Sequence, residues 1–193
     1  MTLICGVDEA GRGPLCGPVF ASAVILDDSL IIKNLDDSKK ISSQKKRKEI
    51  CEEIKLRAFD YSYATASVEE IDELNILNAT LLAMQRAILS LKNKPQHCYV
   101  DGLHAPNIEG VQLEPIIKGD ALIPSISAAS IIAKVERDNF MENLHKLYPY
   151  YELNIHKGYP TKKHLALIEK FGVNDIYRKT FKPIKNLINQ KNT

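Results

Sequence analysis

Apolar residues recur along the chain in two periods, and these periods predict its secondary structure. Short apolar or alternating runs predict β-strands at residues 3–7, 19–26, 61–66, 97–100 and 111–117. Helical spacing predicts helices from a Ser42 or Ser43 cap to about residue 57, and then over 68–74, 77–91, 125–147 and 161–171, with a short turn at 183–188. Early strands joined by a short loop should pair antiparallel, and later strands reached through helices should pair parallel. This order favours an α/β fold with a mixed sheet.

Helical spacing also predicts which side chains face the core. In the first helix these are Ile50, Ile54 and Leu56. In the 77–91 helix they are the leucines and Met84. Because such positions recur every three or four residues, one face of each helix is expected to be buried.

Composition places the chain among ordinary globular proteins. Its 193 residues are 45 % apolar and 26 % charged, with a net charge of +2, and they suffice for one domain with a core. No stretch approaches the roughly 20 apolar residues that span a membrane, so no membrane partner is expected. Four cysteines without C-x-x-C spacing, and an N-terminus that begins with a strand-like run, favour a reduced, cytoplasmic protein. With no clear oligomerisation signal, we expect a monomer.

Basic residues gather in two segments even though the total charge is near zero. Six lie within residues 39–48, and the tail carries five between 178 and 191, with no acid after Asp175. Such patches favour a polyanionic partner, although solvated helix faces would give the same pattern.

Acidic residues follow three of the predicted strands. Asp8 and Glu9 follow the first, Asp101 follows the fourth, and Asp120 comes shortly after the fifth. Open α/β sheets place their sites beyond strand ends, so we expect the four carboxylates to gather at one edge. Neighbouring side chains on a regular strand point to opposite faces, so Asp8 and Glu9 can serve one site only where the strand ends, as the following glycines imply. For Asp101 alone, an aspartate that caps a turn explains the position equally well.

Clustered carboxylates repel one another, and a divalent cation resolves the conflict. Oxygen ligands without histidine or cysteine suit Mg²⁺ or Mn²⁺ rather than Zn²⁺. Two such ions side by side would promote in-line attack on a phosphodiester. The acids therefore predict a divalent-metal site that acts on a phosphate substrate.

A glycine-rich loop, with Gly11, Arg12 and Gly13, follows the first acids. With Gly17 it superficially resembles a dinucleotide-binding fingerprint. That fingerprint must open a helix, whereas here two prolines lead into a strand, so this interpretation is excluded. The glycines instead expose backbone groups to a closely approaching ligand. Arg12 is expected either to pair with a carboxylate or to meet a phosphate.

Five stretches, taken in order, resemble the ribonuclease HII family of type 2 ribonucleases H. They read GVDEAGRGPLCGPV from residue 6, DDSKKIS at 36–42, VDG at 100–102, KGDALIPSISAASIIAKVERD at 118–138 and HKGYPTKKH at 156–164. The resemblance runs from residue 3 to about residue 170. It implies a ribonuclease H-like fold with a mixed five-stranded sheet flanked by helices. Residues 1–193 would form one catalytic domain, in which about 161–193 are a small helical C-terminal extension.

The resemblance implies an endonuclease that cuts the RNA strand of RNA–DNA hybrids. It also implies nicking of DNA on the 5′ side of embedded ribonucleotides, with 3′-hydroxyl and 5′-phosphate ends, as a step in removing ribonucleotides from DNA. Dependence on Mn²⁺ or Mg²⁺, with two ions in the substrate complex, is implied as well. The partners would be hybrids and ribonucleotide-containing duplexes. The tail lacks a clear sliding-clamp motif of the kind that some relatives carry.

The family's residues also map onto this chain. Its catalytic, metal-binding acids correspond to the four acids above, with Asp120 either a ligand or an organiser of the site. Its Gly-Arg-Gly loop, here residues 11–13, reads the ribose 2′-hydroxyl, the group that distinguishes RNA from DNA at one nucleotide. Its junction tyrosine corresponds to Tyr159, which would stack on the sugar of the next deoxynucleotide. An aromatic side chain packed on its own loop is the alternative for Tyr159.

Four further residues are candidates for phosphate contacts. Ser38 and Lys39 lie in a polar turn, while Ser127 and Lys134 share a face of the predicted 125–147 helix with Ser130. A turn that leads into a helix and a solvent-exposed stripe are the respective alternatives. A later basic group could follow the duplex and add affinity without specificity: Lys157, Lys162, Lys163 and His164.

Two positions depart from the family pattern. Cys16 stands where a smaller residue is common, and Gly119 stands where alanine is common, but neither change touches the acids. Two other functions stay open, namely a two-metal nuclease for DNA alone and a nucleic-acid-binding module without catalysis. The ribose-reading loop argues against the first. The carboxylates argue against the second, because they would repel nucleic acid without a metal.

Overall fold

A computed structural model describes residues 2–27 and 43–191; the segment 28–42, which includes Ser38 and Lys39, lies outside the described residues. The described strands are β1 (Ile4–Ala10), β2 (Val19–Ile25), β3 (Asp60–Ala66), β4 (His97–Asp101) and β5 (Gln112–Ile116). The described α-helices are α1 (Gln44–Arg57), α2 (Val68–Leu89), α3 (Pro124–Leu147), α4 (Leu153–His156), α5 (Lys162–Phe171) and α6 (Lys182–Lys191). Short 3₁₀ helices occupy Gly119–Ala121 and Pro149–Tyr151. None of the helices in these ranges has the length and apolarity needed to cross a membrane.

The strands form one mixed sheet in the order β3-β2-β1-β4-β5. β1 pairs antiparallel with β2, and β2 with β3, whereas β4 runs parallel to β1 and β5 runs parallel to β4. The predicted five-stranded mixed sheet is thereby confirmed, including the antiparallel early pair and the parallel later pairs. β1 lies in the middle, between the two kinds of pairing.

Helices cover both faces of this sheet. On one face Cys5 and Val7 belong to a core shared with α2, and on the other Val24 packs with residues of α1 and α3. The alternation follows the two-residue period of a strand. Gly6 faces α3, and a Cβ there would lie 2.2 Å from the backbone carbonyl carbon of Ser125. Strand and helix therefore meet backbone to backbone at this glycine, which brings α3 close to the residues that follow on β1.

β1 extends further than predicted, which corrects the expectation that it ends at Asp8. Its pairing with β4 stops one residue before Asp8, whereas its pairing with β2 continues through Ala10. β4 ends at Asp101, and Gly102, with a φ of 101°, redirects the chain. Asp8 and Glu9 therefore lie where the strand has lost one neighbour, not where the strand ends.

The two helices predicted over 68–74 and 77–91 are joined in α2 at a kink. The first segment begins at a capping box, in which Ser67 accepts from the amide of Glu70 and the Glu70 carboxylate accepts from the amide of Ser67. At the kink Asn75 has a φ of 70°, and its side-chain oxygen accepts from the amides of Leu77 and Asn78. Asn75 therefore ends one segment and caps the next.

Two predicted core positions are exposed instead. Leu56 of α1 is 86 % exposed and Leu89 of α2 is 61 % exposed. Leu56 follows the buried Ile54 by two positions, and Leu89 follows the buried Ile88 by one. Steps of one or two residues along a helix turn a side chain away from the buried face. Met84 is buried as predicted.

The C-terminal segments form a third core with the loop that follows β1. Leu15 and Cys16 of this loop pack with Tyr151, Tyr177 and Ile184. The short turn predicted at 183–188 is part of the ten-residue helix α6. The end of the chain therefore packs beneath the glycine-rich loop near its beginning.

Candidate active site

Asp8 lies on β1 against α3 and is only 5 % exposed. Its Oδ1 accepts a hydrogen bond of 2.7 Å from the amide of Glu9. The hydroxyl of Ser130, on α3, also hydrogen-bonds to the Asp8 carboxylate. The close approach of α3 at Gly6 makes this second hydrogen bond possible. Groups of both the strand and the helix therefore contact this carboxylate.

Burial raises the pKa of Asp8 well above its ordinary value. The negative charge of Glu9 raises this pKa further, and that of Asp101 adds a smaller effect, whereas the Ser130 hydrogen bond lowers it. A bound cation would favour the charged form of a buried carboxylate in this environment.

Asp101 and Asp120 meet at the ends of β4 and β5. The amide of Asp120 donates to Oδ1 of Asp101 over 3.2 Å. The chain reaches Asp120 through Gly119, where a Cβ would lie 2.6 Å from Cδ1 of Ile126 and 3.2 Å from Cβ of Ile116. Glycine at position 119 therefore allows this turn to pack closely against α3 and β5.

The four acids lie together but do not form a ready-made cage. The charges of Glu9 and Asp101 act on Asp8, and Asp101 accepts a hydrogen bond from the amide of Asp120. All four acids therefore interact through charge or hydrogen bonds. Within residues 2–27 and 43–191, no three carboxylate, imidazole or thiol groups converge closely enough to hold a metal ion as they stand. The all-oxygen donor set and the repulsion at Asp8 nevertheless fit a divalent cation, which takes further ligands from water and phosphate. The donors therefore fit such an ion, and their final convergence requires side-chain movement.

Arg12 pairs with one of these acids. Its Nη1 lies 3.2 Å from Oε1 of Glu9, and 49 % of the Arg12 side chain is exposed. This is the carboxylate pairing that the sequence left as one of two alternatives. Since an exposed ion pair contributes only about 0–1 kcal/mol, Arg12 can exchange Glu9 for a phosphate with little loss.

Tyr159 stands beside the glycine-rich loop and is 41 % exposed. A Cβ on Gly13 would lie 3.5 Å from Cε1 of the tyrosine ring, and Nζ of Lys134 lies 6.0 Å from the ring centre. The loop, the ring and α3 therefore enclose one cleft of about 360 Å³. Its lining comprises residues 9–13, Arg47, Ser130, Ile131, Lys134 and Tyr159.

The predicted phosphate contacts differ in their positions. Lys134 lines the cleft, where its Nζ also lies 2.8 Å from Oδ1 of Asp138. Ser127 is buried in α3, so it is not part of an exposed stripe. Ser38 and Lys39 lie outside the described residues.

His164 is fully buried, so the expectation that it follows the duplex is wrong. Its ring stacks on that of His156, with 4.0 Å between the ring centres. Its Nδ1 lies 2.9 Å from the carbonyl oxygen of Tyr159, and its Nε2 lies 3.1 Å from the hydroxyl of Tyr177. Burial, and secondly the charge of His156, lowers the pKa of His164 to about 4. A neutral histidine thus supports the backbone of Tyr159.

Sequence reasoning missed two arginines beneath the loop, Arg137 and Arg178, which are 1 % and 0 % exposed. Arg137 comes so near Gly11 that a Cβ on the glycine would lie 2.2 Å from its Nε. Helical spacing could have indicated Arg137, because it follows Ser130 by seven residues and Lys134 by three. Arg178 has no comparable local signal, since its contacts come from the opposite end of the chain.

Comparison with known proteins yields similar sequences and similar folds. Residues 5–184 match the model of the family described as Ribonuclease HII. Ribonuclease HII of Azoarcus sp. (strain BH72) is 51 % identical over 188 residues, which are 97 % of this chain and 91 % of that protein. Ribonuclease H2 from Pyrococcus horikoshii OT3 has a similar crystal structure, with a TM-score of 0.82, 27 % identity and coverage of 98 % of this chain and 99 % of that one. The PCNA:RNase HII complex from Archaeoglobus fulgidus contains another, with a TM-score of 0.78, 27 % identity and coverage of 93 % and 95 %.

Proposed function

Since the chain belongs to the ribonuclease HII family and is a ribonuclease H, we propose that it nicks DNA on the 5′ side of embedded ribonucleotides as well as cutting the RNA strand of RNA–DNA hybrids. The cuts leave 3′-hydroxyl and 5′-phosphate ends and serve the removal of ribonucleotides from DNA. The observation that carries the proposal is the cleft in which Glu9, the Gly-Arg-Gly loop and Tyr159 meet. In that cleft the chain can bind a sugar directly beside the phosphate whose bond is cut.

Asp8, Glu9, Asp101 and Asp120 would hold two divalent cations, Mn²⁺ or Mg²⁺. When bound, such ions supply a polarised attacking water and stabilise charge on the leaving oxygen. The chain prepares the site, because Asp8 is oriented by the Glu9 amide and Ser130, and Asp101 by the Asp120 amide. These hydrogen bonds limit the side-chain movement that the final convergence of the donors requires. Asp120 completes the set either as a ligand or through its hold on Asp101.

Gly11, Arg12 and Gly13 are proposed to read the ribose 2′-hydroxyl. A hydroxyl both donates and accepts, and a glycine loop offers backbone groups of both kinds at short range. Gly11 has a φ of 98°, a conformation that residues with a side chain rarely adopt, and its α-carbon faces Arg137 without room for a Cβ. Tyr159, adjacent to Gly13, is proposed to stack on the sugar of the next deoxynucleotide.

The remaining assignments complete the proposal. Lys134 contacts a phosphate in the cleft, and Ser38, Lys39 and Ser127 are the other proposed phosphate contacts. Residues 1–193 act as one catalytic domain with a helical extension at about 161–193, supported by the core that the extension shares with Leu15. A monomer suffices, because the cleft is built from one chain. Four buried free thiols support a reducing, cytoplasmic location.

Substitution of Asp8 tests the proposal most directly. With a duplex that contains one embedded ribonucleotide, Asp8→Asn should lose cleavage in Mn²⁺ or Mg²⁺ by at least about 100-fold, because it removes a charged metal donor. Its melting temperature should not fall, since the substitution also removes the repulsion that raises the Asp8 pKa. Normal cleavage by this variant would show that Asp8 is not a ligand.

Asp60→Asn is the matched control. Asp60 is equally buried, but it accepts from Asn93 at the far end of β3 and does not line the cleft. Its cleavage rate should stay within about twofold of the wild type, as expected for a distant site. Equal cutting of an all-DNA duplex by the wild type would indicate a DNA nuclease instead. Binding in EDTA without turnover on addition of Mn²⁺ would indicate a binding module.

A further inference from the structure

The glycine-rich loop is held from beneath by one side chain from the other end of the chain. Arg178 is fully buried, and its Nε donates to the carbonyl oxygen of Gly17 over 2.9 Å. Its Nη1 donates to the carbonyls of Arg12 and Pro14, at 3.0 and 2.8 Å. Its Nη2 donates to the carbonyl of Gly11 at 2.7 Å. A single guanidinium therefore binds four carbonyls of the loop over residues 11–17.

Only arginine has the geometry for this set of contacts. Its guanidinium presents five N–H donors in a rigid plane, whereas a lysine ammonium presents three from a single point. The segment also pairs through its backbone, since the amide of Arg178 donates to the carbonyl of Leu15 and the amide of Gly17 donates to the carbonyl of Ile176. Residues 176–178 thus run beside residues 15–17 while the side chain reaches further under the loop.

Arg137 connects the same loop to the segment that carries Tyr159. Its Nη2 donates to the carbonyl of Lys157 over 3.0 Å, and its guanidinium carbon lies 5.8 Å from the centre of the Tyr159 ring. The other side of Arg137 packs against Gly11. Loop and tyrosine are also joined directly, because the amide of Leu15 donates to the carbonyl of Gly158 over 2.8 Å.

Two buried cations in one place are an unusual way to fill a core. Burial, and secondly the charge of Arg137, lowers the pKa of Arg178 to about 9. Among the described residues the hydrogen bonds of both guanidiniums go to backbone carbonyls, not to carboxylates. Apolar residues of similar volume would often stabilise a fold at least as well as buried charges. The arrangement is therefore better explained by the position that it imposes on the loop.

We propose that Arg178 is a positioning residue for ribose recognition, which sets the direction of the backbone groups in residues 11–17 and, with Arg137, their distance from Tyr159. The inference rests on the proposed function, because it takes this loop as the reader of the 2′-hydroxyl. Arg178 has no exposed surface, so it acts on the substrate only through the loop.

Arg178→Lys tests the inference, because it keeps the charge and removes the planar fork. On the single-ribonucleotide duplex its kcat should fall by about 10- to 100-fold with a smaller change in KM. The reason is that a shifted loop would hold the ribonucleotide away from its reactive position. Hydrogen exchange of the backbone amides in residues 11–17 should become faster than in the wild type, well below the melting temperature. If Arg178→Lys does not fold, Arg178→Gln, which keeps a planar donor without a buried charge, is measured in the same way.

Tyr151→Phe is the matched control for a merely structural role. It removes a hydrogen bond of 2.6 Å from the hydroxyl of Tyr151, a residue that packs with Leu15 and Cys16, to the carbonyl of Gly172, and it leaves the ring and the hydrogen bonds of Arg178 to the loop in place. It should lower the melting temperature while leaving kcat and loop exchange unchanged. An equal fall in kcat in this control and in the Arg178 variant would show that Arg178 only stabilises the fold.

Gly13→Ala separates this inference from the proposed function. If Gly13→Ala loses cleavage while the Arg178 variant keeps the wild-type kcat and loop exchange, the positioning role is wrong and the ribose-reading loop stands. If Gly13→Ala cuts the single-ribonucleotide duplex as the wild type does, the loop does not read ribose, and the positioning role is overturned with it.

Discussion

The four acids and the glycine-rich loop are neighbours, with Glu9 in the cleft that the loop lines, but they are held by different means. Asp8 and Asp101 are held by sheet register and by amides of nearby strands and turns. The loop is held mainly by Arg178, which lies 161 to 167 residues away along the chain. The catalytic side therefore depends on the packing of the sheet, and the sugar-reading side depends on the C-terminal core. A substitution that disturbs the packing of the sheet should reduce stability and cleavage together, whereas a substitution within the loop should reduce cleavage first.

Gly6→Ala has the largest expected effect, because it acts on the packing that carries the acids. The new Cβ would lie 2.2 Å from the carbonyl carbon of Ser125 and 2.3 Å from the amide nitrogen of Ile126, so α3 must move away from β1. We expect the free energy of unfolding to fall by about 3 kcal/mol in urea denaturation, and cleavage to fall with it.

Gly13→Ala supplies the contrast on the other side. Its Cβ would meet only the Tyr159 ring, at an ordinary contact distance of 3.5 Å. The free energy of unfolding should therefore change by less than about 1 kcal/mol, although cleavage falls. Equal losses of stability in the two alanine variants would contradict the distinction between the two sides.

Tyr159→Ala should separate two substrates. We expect its cleavage of a duplex with one ribonucleotide to fall about tenfold more than its cleavage of a long hybrid, since only the first offers a deoxyribose for the ring to stack on. Tyr63→Ala is the control, because Tyr63 is similarly exposed on β3 and does not line the cleft. Equal losses on both substrates would argue against a junction-sensing role for Tyr159.

The smallest expected effect is on pH dependence. The folded-state pKa of His164, about 4, lies below the ordinary value of 6.5, so the unfolded chain binds the proton first as the pH falls. The stabilisation is complete above pH 6.5 and is lost between 6.5 and about 4. At pH 5.5 the folding equilibrium constant should be about tenfold lower from this group alone.

Denaturation at several pH values measures this effect. In His164→Gln the slope of the free energy of unfolding between pH 4 and 6.5 should become shallower than in the wild type. A wild-type slope in His164→Gln would show that this histidine is not the group that titrates.

Several features of the site could be predicted from local sequence. The sequence identifies the acids because they follow β-prone runs, and the sheet topology brings them to one place. The extent of β1 was not predictable in this way, because its continuation past Asp8 depends on pairing with β2. The point at which β4 stops pairing with β1 depends in turn on Gly102. The sequence allows Arg12 either a carboxylate or a phosphate as its partner, and the structure pairs it with Glu9.

Strand and helix periods, a capping serine and glycines act over a few positions, so the sequence alone predicts most of the elements, the acidic set and the glycine loop. The burial of His164, the exposure of Leu56 and the hydrogen bonds of Arg178 to the carbonyls beneath the loop arise only in the folded chain. Burial and long-range hydrogen bonds depend on which surfaces meet after folding. A residue's neighbours along the chain do not contain that information.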